Sequence, residues 1–194
     1  MEAEEPEDKP KDKPKKDKKK RASRSIETMF RTTMSSHIKL SEMADRKAGL
    51  MISINSIVIS IMTSFLVHEF ATSPHLLVPS CVLLLVSLLT ITFAVLATRP
   101  SVKPRANITE LATASKIDLL FFGDYTSLSL ENYKMALKET MGTDEQLYNM
   151  MIENIYAQGK VIDKKYKQLR ISYTIFLYGF PIAMIGYMVA VYFA

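Results

Sequence analysis

The 194-residue chain is 48% hydrophobic and 23% charged, with a formal net charge of +5 and an isoelectric point near 9.2. These averages match a soluble protein, yet the apolar residues fall in three blocks instead of recurring periodically, which excludes an ordinary globular domain. The basic balance does not point to nucleic acid as a partner, because the cations lie beside the apolar blocks and in one lysine-rich segment, a pattern suited to anionic lipid.

Residues 1–24 open with an acidic run, Glu2 to Asp8, and continue as a lysine-rich segment punctuated by Pro10 and Pro14. With almost nothing apolar to bury, this stretch is predicted to be a disordered charged tail, and no secretory signal is expected ahead of the first apolar block. From Ser25 onward Ile26, Met29, Phe30, Thr33, His37, Leu40 and Ala44 recur at spacings of three and four. That stripe predicts an approach helix over residues 25–47, starting near Ser23 or Ser25. Its excess of Arg and Lys, among them Arg24, Arg31, Lys39, Arg46 and Lys47, keeps the N-terminal side in the cytoplasm. His37 is read as a packed or solvated side chain, since no second His, Cys or carboxylate set stands at ligand spacing and no metal is expected.

Residues 48–67 lack formal charge and, at about 1.5 Å per residue, just cross a hydrocarbon core of roughly 30 Å, giving the first transmembrane helix. Asn55 lies at its middle, where a buried amide needs an internal partner, so a helix contact is expected there. Residues 68–75 contain neither Lys nor Arg and form a short external turn, and residues 76–98 form the second span. Pro79 is tolerated in that span's first turn, and Cys81, the sole cysteine, is expected to be buried and unreactive.

Arg99, Lys103 and Arg105 return the chain to the cytoplasm, where residues 99–172 are too few for a full enzyme domain and are predicted to form a helical cap. Short helices are expected over 107–116 and 129–141, with an apolar cluster from Asp118 to Tyr125 packed on its neighbours. The glycosylation acceptor at Asn107 is idle on the cytoplasmic side. Thr143 or Asp144 caps a last helix whose stripe, Leu147, Met151, Ile155, Gln158, Ile162, Tyr166 and Leu169, runs straight into a third span at 173–194. An unbroken helix of this kind would transmit any movement of the cap to the span as a lever. Gly179, Pro181 and Gly186 either kink that span or let another helix approach closely, and its aromatics are expected at the membrane interfaces and in packing.

The expected fold class is therefore an all-α membrane protein with three transmembrane helices and a small helical cytoplasmic cap. No Gly-rich phosphate loop, nucleophile elbow or paired carboxylates occur, so no catalytic residues, cofactor or enzymatic activity are expected. Three helices offering only Asn55, hydroxyls and glycines do not enclose an ion path alone, so any conduction requires a homo-oligomer.

Three separated blocks carry a family likeness: ADRKAGLMISINSIVIS at 44–60, LLFFGDYTSL at 119–128 and LYNMMIENIYAQGKVIDKKYKQLRISYTIFLYG at 147–179. Together they resemble the transmembrane effector family of Pycsar antiphage systems, over roughly residues 26–194. In related proteins an HD-type phosphohydrolase often precedes the membrane region; here the lysine-rich segment holds that place. The resemblance implies a partner pyrimidine cyclase that makes cyclic CMP or cyclic UMP on infection, and an effector that then impairs the inner membrane and causes abortive infection. A cap that binds such a ligand needs a cation for the phosphate and aromatic groups for the base. Lys47, Arg105, Lys160, Lys164 or Arg170, with Phe121, Phe122 or Tyr148, are the candidates. The rival reading is a non-catalytic membrane anchor that recruits a separate hydrolase or cyclase, and a small transporter subunit is the weaker third.

Overall fold

The computed structural model describes residues 13–69, 74–100 and 117–193. Its described elements are all helical: α1 (Lys13–Glu69), a 3-10 turn (Pro74–Leu76), α2 (Leu77–Thr98), α3 (Phe122–Tyr125), α4 (Leu130–Thr140) and α5 (Asp144–Tyr192). Among the described residues α1, α2 and α5 are long and apolar enough to cross a membrane. With 22 residues α2 is about 33 Å long, the thickness of a hydrocarbon core. The 57 residues of α1 and the 49 of α5 far exceed that requirement, so both continue out of the apolar zone as a polar stalk.

α1 starts at Lys13, well before the Ser23 or Ser25 start expected, and residues 13–24 are helical where a disordered tail was predicted. The hydroxyl of Ser25 explains the difference, because it donates back to the Arg21 carbonyl at 3.0 Å, and Thr28 does the same to Arg24 at 2.8 Å. A serine bonded four residues back sits inside a helix and does not cap one. Lys, Arg and Ala upstream are good helix formers, and Pro14 falls in the first turn, where no N–H is missed. Residues 1–12 lie outside the described residues, as do 70–73 of the expected external turn and the helix expected over 107–116.

The later starts follow the sequence closely. Ser129 caps α4, its Oγ accepting from the Asn132 N–H at 3.2 Å, and Thr143 caps α5, accepting from the Gln146 N–H at 3.3 Å. Pro79 sits in the first turn of α2, and α5 runs through Pro181 without interruption.

α1 and α5 lie parallel, since His37 meets Gly159, Asp45 meets Lys165 and Phe65 meets Tyr187 in rising order. α2 runs antiparallel between them: Ala94 and Ala97 pack with Ala44, Ala48 and Leu169, whereas farther along Thr90 meets Ser172 and Val86 meets Gly179. The inward face of α2 is Ser80, Leu83, Ser87, Thr90, Ala94 and Ala97, mostly small side chains at spacings of three and four. Small residues let helix backbones approach in lipid, where packing rather than hydrophobicity drives association. A Cβ on Gly179 would stand 2.8 Å from Val86 Cγ1, while one on Gly186 meets nothing within 4 Å. Of the two readings of these glycines, close packing holds at Gly179.

Asn55 is fully buried in this bundle; its Nδ2 donates to the Met51 carbonyl at 2.8 Å within α1, and its Oδ1 has no partner. Cys81, expected to be buried, is exposed on the outer face of α2, because the inward positions of that turn are held by Ser80 and Leu83.

Candidate functional site

Among the described residues outside the apolar zone, α1 and α5 form a two-helix stalk with a corner docked on its side. Asp118 builds that corner. Its Oδ1 accepts from the N–H groups of Leu120 and Phe121 at 3.0 and 3.2 Å, an Asx turn that reverses the chain. Its Oδ2 accepts from Asn154 Nδ2 at 2.8 Å, and Asn154 Oδ1 accepts from Gln158 Nε2 at 3.0 Å. Ile117 and Leu119 are buried beneath the turn, and the Tyr133 hydroxyl donates to the Leu119 carbonyl at 3.4 Å. Of the apolar cluster expected over Asp118 to Tyr125, Leu119 packs inward beside Ile117, while Leu120 and Phe122 are largely exposed. In α4 no residue is buried, and its apolar Leu130 and Met135 are exposed.

Where α1, the corner and α5 converge they leave a groove of ≈240 Å³. α1 contributes Glu27, Phe30, Arg31 and Met34; Leu120 closes one side, and Met151, Asn154 and Ile155 of α5 close the other. The groove is apolar apart from one acid, one guanidinium and one amide. Arg31 has no hydrogen bond or ion pair to any described residue, so its planar fork of donors is available to an anion.

At the other end of the stalk Lys165 joins the two long helices. Its Nζ donates to both carboxylate oxygens of Asp45 at 2.8 Å and to Ser41 Oγ at 2.9 Å, with the lysine side chain 14% exposed. At the next residue, the Tyr166 hydroxyl donates to the Leu40 carbonyl at 3.2 Å. His37 is half-buried against Gly159, between the groove and this clamp. No group of three or more metal-ligating side chains occurs among the described residues.

The residues singled out from sequence do not form one site. Tyr148 and Arg170 stand about 33 Å apart along α5 at 1.5 Å per residue, several times the reach of a mononucleotide. Lys47, Lys164 and Arg170 are exposed beside the apolar zone, and Lys160 lies over the Tyr156 ring at 5.3 Å. Phe121 and Tyr148 are half-buried, Phe122 is exposed, and Arg105 lies outside the described residues. The groove instead brings together Arg31 and Asn154, neither of which was singled out as a ligand residue. One signal for Asn154 was present: an amide on the inward face of the stripe, between Met151 and Gln158.

The fold and the groove define a class: an all-α, three-span membrane protein whose two outer spans continue into a stalk bearing a small polar-apolar recess. A family model described as the Pycsar effector protein domain matches residues 28–193, and the chain belongs to that family, the membrane effectors of Pycsar antiphage defence. No curated protein and no solved structure was found to match the chain.

Proposed function

We propose that the chain is a signal-gated effector of the inner membrane, activated in the cytoplasm by a cyclic pyrimidine nucleotide, cyclic CMP or cyclic UMP, from a partner cyclase. Activation impairs the membrane without catalysis and ends in abortive infection. The observation that carries this reading is the groove's position: α1 and α5 both line it and both continue unbroken into the spans. Arg31 supplies a charge-assisted bond to the single phosphodiester anion, Phe30 and Met151 offer apolar surface to the base, and Asn154 offers an amide for its polar edge.

At ≈240 Å³ the recess is smaller than the roughly 300–1,000 Å³ typical of small-molecule sites, so a whole nucleotide enters only if α1, the corner and α5 move apart. Binding energy then favours a second arrangement of the stalk, and the helices carry that displacement into the membrane. The N-terminal side is cytoplasmic in this account, because Arg and Lys crowd the stalk side of each span.

Titration of the full chain in nanodiscs with cyclic CMP, cyclic UMP and cyclic AMP tests the reading. Saturable binding of one pyrimidine nucleotide, lost in Arg31→Ala, is expected. Binding of none of the three, or undiminished binding by Arg31→Ala, would overturn the groove as the sensor.

A further inference from the structure

α1 carries two stripes. One, through Phe30, Ala44, Ala48, Met51 and Asn55, is buried against α2, α5 and the corner. The other lies one residue back, about 100° around the helix, and its side chains are exposed apart from the half-buried Thr33, with Tyr166 of α5 reaching only the Leu40 carbonyl. In the stalk it comprises Met29, Thr33, Ser36, Leu40 and Met43, with Met29 57% exposed and Met43 39% exposed. In the apolar zone it continues through Leu50, Ile54, Ile57 and Ile61, all exposed.

The spacing alternates four and three from Met29 to Ile61, a seven-residue repeat held for about 48 Å. Lipid accounts for the exposed Leu50 and Ile57. It does not account for Met29, Leu40 and Met43, which lie among Lys39, Glu42 and Arg46 in the polar half. The outward face of α5 is charged beside Leu40 and Met43, with Lys160, Asp163, Lys164 and Lys167, while nearer the groove Ile152 and Tyr156 are exposed on it. The stripe on α1 carries no charge before Lys47.

We infer that this outward face of α1 is a self-association seam that takes α1 of a second copy of the chain in parallel, from the stalk into the membrane. The occupant must follow a seven-residue repeat across the membrane boundary in the same direction and match apolar and hydroxyl layers at the same heights. A second copy does this by symmetry, each layer meeting itself. The positions across the seam from Lys39 and Arg46 are Ala44 and Met51, uncharged and buried within each protomer, so like charges are not forced together there. Lys47 alone meets its own copy, at the membrane boundary, where the pair weakens the seam and fixes its register. The inference goes beyond the nucleotide reading and does not depend on it.

Disulfide crosslinking of the full chain in native membranes tests it, in a Cys81→Ser background. Cysteines at Leu40, Met43 and Ile57 are seam positions; Ile38, also exposed, lies on the far side of the same turn and is the control. A disulfide needs Cα atoms within about 7 Å, so dimer bands at least tenfold stronger from the seam positions than from Ile38→Cys are expected. Lys47→Leu should raise the yield further. Equal bands at Ile38, or none at the seam positions in chains that insert normally, would overturn the seam. The mass of the purified unsubstituted chain in detergent guards against substitutions that simply fail to fold: a dimer or larger assembly is expected, converted to monomer by Met43→Glu and not by Ile38→Glu. A monomeric unsubstituted chain would also overturn it.

Discussion

Single side chains divide between those that set how closely the helices pack and those that have capacity left for a ligand. Gly179 belongs to the first group, since Val86 is β-branched, stiff at χ1 and only 2.8 Å from where a Cβ would stand. Gly179→Ala should therefore cost about 1–3 kcal/mol by overpacking, whereas Gly186→Ala should be neutral or gain up to about 1 kcal/mol of helix propensity. Unfolding in mixed detergent micelles separates the two, and equal effects would mean that α2 and α5 are not in contact at Gly179. Asn154→Leu removes a hydrogen bond to the Asp118 carboxylate, a loss of about 1.5–3 kcal/mol, and should release the corner from α5. Faster hydrogen exchange over residues 117–125, with α2 unchanged, is the expected reading. At this scale the sequence was least legible. Arg31 and Asn154 look like surface charge and helix interior until the stalk brings their helices together, and the two roles open to Ser25, cap or back-bond, are decided by a helix already formed upstream.

Helices and spans were far more legible, for a physical reason. A span must exclude formal charge over about twenty residues, and that requirement leaves a mark in composition that no tertiary contact can override. Hence α2 and the apolar halves of α1 and α5 fall where uncharged blocks lie, and Thr143 starts α5 because its side chain can cap. The two-helix stalk was not legible, since α4 buries nothing and the corner depends on one aspartate meeting a distant asparagine. The continuity of α5 gives an element-scale prediction. Proline at Ile155 removes a backbone donor and clashes with the preceding turn, costing about 3 kcal/mol or more locally, and should uncouple groove from span. Nucleotide-induced membrane damage should then fall at least tenfold at equal expression; undiminished damage would show that α5 is not the lever. Lys165→Met tests the same coupling at the clamp, where loss of the bonds to Asp45 and Ser41 should loosen α1 from α5 and raise damage without a signal.

For the molecule as a whole, the proposed function separates sensing from effect along one axis. The groove lies at one end of the stalk, the Lys165 clamp at the boundary, and the small-residue packing of α2 holds the spans together beyond it. Asn55 is buried with its amide turned to its own helix, so in the proposed function damage requires the spans to rearrange or several copies to assemble. The most direct measurement is membrane potential and dye entry in cells that express the chain with a cyclase making either cyclic CMP or cyclic UMP. Depolarisation and dye entry are expected with one of the two nucleotides, neither is expected without a cyclase, and the response should be lost in Arg31→Ala at equal expression. Intact membranes with both nucleotides, or a full response from Arg31→Ala, would contradict it.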